Sequence, residues 1–503
     1  MGNTFLDLKN GSAASISELP VHGFEDFRAL LKKSVSDGNM RIASFFAMPE
    51  DDDFRLTAVL ADNESSMLKL ASAIVGRSYP SLTPEIPALH WFEREIHEQY
   101  GIVPENHPWL KPIRFHNSFD SDTAARPAPG VTDYLQMTGN EAHEVAVGPV
   151  HAGVIEPGHF RFQCMGETVY FLEIELGYQH RGIEKMLIGA PDKKTIHLIE
   201  SAAGDSSCAS ATAYAQIIEA LTDNKPSENA LSIRQAAMEL ERIANHTGDL
   251  GALAGDVAFL PTASYCGRIR GEYLNMSATL CGNRFGRNMI IPGGVAVSVD
   301  RMRAEKLLSH LKNARKDLDN ALSLMFNTPS VLDRFENTGS VTLEQCRQIG
   351  MVGVAARACG SDMDVRKNFP YCDYDQDFFA KLISGTSGDV FARADVRRRE
   401  IAVSHEIIIR QLEKISAPVE STSDITASTL PPDMIAVSMV EAWRGEMCHT
   451  AVTGKDGKFR RYKIVDPSFH NWFGLALALR GEEISNFPIC NKSFNLSYCG
   501  HDL

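Results

Sequence analysis

The chain has 503 residues, 44% hydrophobic and 23% charged, the composition of an ordinary globular protein of two to three domains. That excludes a disordered, collagen-like or coiled-coil chain. Its 50 Lys and Arg against 64 Asp and Glu leave a net charge of −14, so a nucleic-acid backbone is not an expected partner. Mean hydropathy is −0.16, and no apolar run reaches the roughly 18 residues that a membrane span needs, so no transmembrane helix is expected. The start, Met1-Gly2-Asn3-Thr4-Phe5-Leu6, has no basic segment leading into an apolar stretch and does not read as a signal peptide.

Residues 1–116 read as a small α+β domain. Phe24 to Leu31 carries helical spacing. Met40 to Ala47 and Phe54 to Leu60 read as strands across the polar turn Pro49 to Asp53, and Ser66 to Val75 suits a third. Ala88 to Tyr100 is predicted as a helix with Leu89, Phe92 and Ile96 on one face. Residues 117–146 read as a linker, marked by Ser118, Asp120, Ser121, Asp122, Pro127, Pro129 and Gly130. Residues 147–503 read as a large, mainly helical domain with β-rich ends. Val169 to Leu176 alternates like a strand. The stretches 192–222, 226–254, 261–281, 300–322 and 375–415 keep the 3.6 period. Residues 433–465 return to strands around Gly454 and Gly457, after a short Ser/Thr-rich segment at 420–429. The fold class is α+β.

The ten cysteines include no C-x-x-C pair, so no zinc or iron–sulfur spacing exists within the chain. There is no G-x-G-x-x-G after a strand and no Walker loop, and Gly148-Pro149 and Gly293-Gly294 read as turns, so nucleotide binding is not expected.

Two stretches carry a family resemblance. Phe92-Glu93-Arg94-Glu95-Ile96-His97-Glu98-Gln99-Tyr100-Gly101-Ile102, with His107-Pro108-Trp109-Leu110, resembles the 30 kDa subunit of respiratory complex I. Gly148-Pro149-Val150-His151-Ala152-Gly153-Val154-Ile155-Glu156-Pro157-Gly158-His159-Phe160-Arg161-Phe162, then Gly177 to Lys185, resembles the start of the complex I 49 kDa subunit. It also resembles that subunit's relatives, the large subunits of group 4 membrane-bound nickel–iron hydrogenases of the formate hydrogenlyase type, and its wording is closer to the hydrogenase branch. Glu239 to His246, Pro292 to Val295, Arg357 to Gly360, Asp364 to Arg366 and Glu441 to Glu446 extend the likeness over nearly the whole chain.

The resemblance implies a nickel–iron centre held by two C-x-x-C pairs, whose soft thiolates suit both metals. Anchoring on Glu200 and Ala213-Tyr214 puts Ala203 and Ser206 at the first pair and Ser210 at a family histidine. Anchoring on Tyr498 and Asp502 puts Ser497 and Gly500 at the second. Cys208 and Cys499 lie nearby without a partner at the right spacing. No metal is therefore expected on this chain, and a true nickel–iron hydrogenase is the weakest reading. The complex I quinone contacts are not reproduced either. His151 matches the first histidine, but the second falls on Pro157 and the tyrosine on Gly204.

By the same resemblance Glu156 stands where hydrogenases keep a proton-transfer carboxylate. A buried Glu there would have a raised pKa; the alternative is a structural cap on the amides of Gly158 and His159. Arg444 matches an arginine that overhangs the metal site, and Trp443 before it is bulky enough to fill the vacated space. Glu156, Arg444 and His151 are the candidate proton-relay and pocket residues. His151, His159 and His180 also suit ordinary core or interface histidines. Arg284 and Arg287 fall where complex I places basic residues beside a partner's [4Fe-4S] cluster, where a cation raises the cluster's potential; the alternative is plain interface arginines. Arg397-Arg398-Arg399 reads as a solvated or interface face.

The function this implies is a hydrophilic-arm subunit of a membrane-bound, complex I-like oxidoreductase. The chain would hold no cofactor itself and would shape a chamber for an acceptor, with a quinone as candidate, beside a partner's cluster. The implied partners are a small iron–sulfur subunit, a ferredoxin-like subunit and antiporter-like membrane subunits. The implied place is the cytoplasmic side of the membrane, held there by those partners. The alternative is a non-catalytic structural or conformational-coupling subunit with a degenerate site.

Overall fold

A computed structural model of the chain describes residues 4–36, 38, 40–116, 118–119, 133–153, 155–375, 379, 386–415 and 429–503. The N-terminal part is built on a five-stranded sheet. Leu6–Leu8, Met67–Val75, Asp53–Asp62 and Met40–Glu50 lie side by side in that order, and Val21–His22 pairs parallel to Met67–Val75. Glu50 pairs with Asp53, so Asp51 and Asp52 form the expected tight polar turn. The Phe24–Ser36 helix sets Phe27 and Leu31 into the core on this sheet.

The His90–Tyr100 helix is buried on nearly every face, Glu93, Arg94 and Glu95 included. Its apolar side packs on its own domain. Its charged side is consumed locally. Glu93 accepts from the backbone of Leu82 (2.9 Å) and Thr83 (3.0 Å), and Arg94 lies between the rings of Trp91 and Trp109. A third side meets the C-terminal part, where Phe92 packs edge-on against Phe469 with centroids 5.0 Å apart.

The rest of the chain combines helices with two larger sheets and a two-stranded ribbon of Ile290–Ile291 and Gly294–Val295. Thr168–Glu175, His159–Met165 and Ala142–Val147 form one, antiparallel throughout. Phe459–Val465, Gly445–Thr453, Met434–Ala442 and Ser12–Ser15 form the other. Ser12–Ser15 thus crosses from the N-terminal region to close the far sheet, and Asn10 fixes that crossing by accepting from Met439 N at 2.7 Å. The Glu228–Asp256, Leu260–Cys281 and Val390–Glu413 helices pack together, and Ser207–Thr222 lies on the strand Met434–Ala442.

Four sequence expectations differ from the structure. The helix expected over 192–222 is two helices, Thr195–Glu200 and Ser207–Thr222, because Gly204-Asp205-Ser206 favours a turn over helix interior. The helix expected over 375–415 occupies Val390–Glu413, capped by Asp389 through Ala392 N (2.8 Å); residues 376–378 and 380–385 lie outside the described residues. Ala142–Val147, read as linker, is a strand, while the linker markers between 120 and 132 and most of the Ser/Thr segment (420–428) lie outside the described residues. Arg397 is buried and paired with Asp249 at 2.8 Å, whereas Arg398 and Arg399 are half-exposed and share Asp395.

A buried ionic cluster joins the two parts. Lys463 Nζ sits 2.8 Å from Glu95 Oε1 and 2.9 Å from Glu184 Oε1. Arg461 adds a 3.0 Å bond to Glu184, and Arg114 pairs with Glu95. Burial pushes the Glu184 carboxyl up, and the surrounding Lys463, Arg461 and Arg114 overrule it, so it stays below the ordinary range. Removing one cation leaves buried carboxylates uncompensated. Lys463→Met is expected to cost about 3–5 kcal/mol, read as a lowered urea midpoint. Adding Glu184→Gln is expected to cost less than the two single changes together, because both act in one network.

Candidate functional site

Four segments converge on one cavity of about 790 Å³. The loop between Ala142–Val147 and His159–Met165 brings His151 and Glu156. The turn between Thr195–Glu200 and Ser207–Thr222 brings Asp205. The hairpin between Met434–Ala442 and Gly445–Thr453 brings Arg444, and the last helices bring Asn491, Asn495 and Tyr498. Val147, Phe162, Phe487 and Leu496 give the cavity an apolar wall.

Arg444 is held from three directions. The hairpin pairs Ala442 with Gly445, so Trp443 and Arg444 form its two-residue tip. The guanidinium forks onto Asp205, Nη1 to Oδ1 and Nη2 to Oδ2, both at 2.7 Å. Its Nε donates to Asn495 O at 2.6 Å, and its face lies 3.9 Å from the Trp443 ring centroid. Such a bidentate pair fixes orientation as well as charge. Burial raises the Asp205 carboxyl and Arg444 reverses this, leaving it below its ordinary value. Trp443 donates from Nε1 to Asp205 O at 2.9 Å. The indole therefore braces the arginine from outside the lining of this cavity.

Glu156 is half-buried. Its Oε2 accepts from Cys499 N at 3.3 Å, so the amide it caps belongs to the C-terminal turn, while Gly158 N bonds Pro149 O. His151 Nε2 faces the Tyr498 hydroxyl at 3.4 Å, and its Nδ1 faces Pro149 O at 3.2 Å. The Tyr498 ring crosses close above Gly158, where a Cβ would come within 2.5 Å of it. Glu156, Arg444 and His151 are thus brought together as expected. His180 is not at this cavity and bonds the backbone of Asp502 through Nδ1. Arg284 is exposed. Arg287 is half-buried, with its guanidinium beside Gly204.

The positions that the resemblance assigns to thiolates offer a poor donor set for nickel and iron. Ala203 and Ser206 are buried at the turn. Ser497 is spent as a helix cap, its Oγ accepting from Gly500 N at 2.9 Å. Gly500 has no side chain, and a Cβ there would lie 2.7 Å from the Asp466 carboxyl. Among the described residues no group of three or more His, Cys, Asp or Glu side chains is arranged to hold a metal. Burial with Glu156 nearby pushes the Cys499 thiol up to about 11, and burial with Glu241 pushes the Cys208 thiol well above its ordinary value. Neither is a ready thiolate.

Sequence reasoning missed Asp205, the partner that fixes Arg444. The available signal was an acidic residue beside Ser206, in the segment where the family's first thiolate pair is replaced. It also missed two protonatable carboxyls behind that segment. Glu241 accepts from Cys208 N at 2.7 Å and so caps the Ser207–Thr222 helix, and burial pushes its carboxyl up to about 8. Glu200 accepts from Asn288 N at 2.6 Å and is pushed by burial up to about 7.

Residues 256–432 match the family model of the respiratory-chain NADH dehydrogenase 49 kDa subunit, and residues 22–128 that of the 30 kDa subunit. The chain is 28% identical to hydrogenase-4 component G of Escherichia coli, over 84% of this chain and 75% of that one. It is 28% identical to formate hydrogenlyase subunit 5 of the same organism, over 84% and 76%. It is 30% identical to a subunit of the F(420)H(2) dehydrogenase of Methanosarcina mazei, over 64% of this chain and 88% of that one.

The raised carboxyl of Glu241 sets a pH dependence. In the unfolded chain it titrates near 4.5 and in the folded chain near 8. The folded state therefore holds a proton that the unfolded state has released, and stability falls as pH rises through that interval. Glu241→Gln is expected to flatten this decline, measured as the urea midpoint of the purified protein across the same range.

Proposed function

The chain belongs to the family of the respiratory-chain NADH dehydrogenase 49 kDa subunit and its hydrogenase relatives, with a 30 kDa-type domain fused ahead of it, and from this we propose that it is a hydrophilic-arm subunit of a membrane-bound, complex I-like oxidoreductase. Among the described residues no helix is long and apolar enough to cross a membrane, so partners hold it there. The partners fitting this role are a small iron–sulfur subunit carrying a [4Fe-4S] cluster, a ferredoxin-like subunit and antiporter-like membrane subunits. The chain shapes the chamber in which the partner's cluster delivers electrons, on the cytoplasmic side of the membrane.

One observation carries this reading: an open cavity of about 790 Å³ is lined by Glu156, His151 and a fixed Arg444. A subunit retained only as scaffold has no need of a solvent-accessible carboxylate beside a preorganised cation. The pocket sets a carboxyl group, a candidate proton carrier, near an arginine that Asp205 and Asn495 hold in one orientation. Its apolar wall and polar end suit a flat, partly polar acceptor such as a quinone. In this reading Arg284 and Arg287, on the loop next to the Gly204 turn, face the partner's cluster, where their charge would favour its reduced form. Nickel has no place in this role, because the four thiolate positions hold Ala203, Ser206, Ser497 and Gly500.

Glu156→Gln keeps size and hydrogen bonding but removes the proton. It is expected to lower acceptor-linked turnover of the intact complex by about 10²-fold or more, with assembly unchanged. Unchanged turnover would support the structural-coupling alternative instead. Metal analysis of the intact complex is expected to give iron without nickel; nickel near one atom per chain would restore the hydrogenase reading, with Cys208 and Cys499 as the first ligands to examine.

A further inference from the structure

The strand Phe459–Val465 ends at Asp466, which caps the Pro467–Ala478 helix by accepting from Ser468 N at 2.8 Å through Oδ1. Its other oxygen, Oδ2, is buried with no hydrogen-bond partner among the described residues. The whole residue is 1% exposed. That oxygen is directed at Gly500. A Cβ built there would lie 2.7 Å from both Cγ and Oδ2 and 3.0 Å from Oδ1. The carboxyl of Asp466 occupies the volume that a side chain at position 500 would need, and only glycine fits beside it.

We propose that Asp466 is a proton-holding residue of this pocket, a neutral carboxylic acid standing in the place of the family's last thiolate. This rests on the reading of the pocket as proton-linked, and adds to it a second acid behind Glu156.

Charge balance supports the neutral form. The nearby cation, Arg444, pairs Nη1 and Nη2 with Asp205 and Nε with Asn495 O. An ionised Asp466 would set a second carboxylate against a guanidinium already neutralised, with one oxygen neither solvated nor bonded. Such a group protonates rather than remain charged. Burial raises the carboxyl above its ordinary range; Arg444 and the hydrogen bonds of Ser468 oppose this, and Asp205 reinforces it. Ser468 Oγ accepts from Ser497 N at 2.8 Å, Ser497 Oγ lies 3.4 Å from Cys499 Sγ, and Cys499 N donates to Glu156 at 3.3 Å. Ser468, Ser497 and Cys499 thus lie in succession between the buried acid and Glu156, each touching the next through a side-chain or backbone contact.

The test is infrared absorption of the purified intact complex at neutral pH, comparing wild type with Asp466→Asn. Asparagine keeps the oxygen that caps Ser468 N, so the helix start is preserved. The expected result is loss of one carbonyl stretch of a protonated carboxyl, a band that shifts down in D2O in the wild type. It should persist in Glu156→Gln. If wild type and Asp466→Asn give the same spectrum, Asp466 is ionised and the proposal is overturned. If Glu156→Gln removes the band, the proton belongs to Glu156, and again the proposal fails while the proton-linked reading stands. If Glu156→Gln leaves turnover intact while the Asp466 band is present, the functional reading fails and the buried acid remains. Should Asp466→Asn fail to assemble, Asp466→Ser, which keeps a cap oxygen, takes its place in the same difference spectrum, where the protonated carboxyls of Glu241 and Glu200 cancel; an unchanged spectrum overturns the proposal.

Discussion

The structure turns on Lys463, held between Glu95, within the residues that match the 30 kDa family model, and Glu184. The three side chains are almost wholly buried, so their desolvation is offset only if all are present and aligned. Arg114 carries the constraint onward. It pairs with Glu95 and donates to His501 O at 2.9 Å. Next to it, Asp502 accepts from the backbone of Gly177 at 2.8 Å and Gln179 at 3.0 Å. The fusion of the two family domains is therefore more than a covalent convenience. The charge of one domain positions the C-terminal turn of the other, and that turn supplies a wall of the cavity.

A second buried network supports the opposite wall. Arg242, Arg357 and Arg366 interlock with Glu239, Asp364, Glu400 and Glu441 across helices and strand. Arg242 donates to the carbonyls of Glu441 and Ala442, the residues leading into the hairpin tip that carries Arg444. Arg397 reaches the same site through Asp249, which binds Asn495 at 2.6 Å. Ionic pairs of this kind add little net stability over well-packed apolar substitutes, but they admit only one arrangement of their partners. Here that arrangement places one guanidinium at the edge of a cavity.

Around the cavity the polar groups are matched to one another. Ser497 is a helix cap, Gly500 makes room for Asp466, and Asp205 neutralises Arg444. Arg270 and Lys492 also line the cavity, opposite in charge to Glu156, Asp205 and Asp256.

The sequence by itself determined the family, the order of the two matched parts, and most strands and long helices. Hydrophobic period and turn residues are local properties, so the hairpin 40–62 and the helix 228–256 were legible from their own segments. Glu156, Arg444 and His151 were legible because they stand inside recognisable motifs. Tertiary structure alone decided that Arg397 is inside, that Trp443 braces Arg444, that Asp205 reaches Arg444 and that Asp466 packs beside Gly500. Each of those depends on partners far away in the chain: Arg444 lies 239 positions from Asp205, and the space beside Gly500 is filled by a residue from a different helix. Local sequence fixes which backbone conformations are cheap, but it cannot say which charges will share a desolvated interior, and that sharing is what made this pocket.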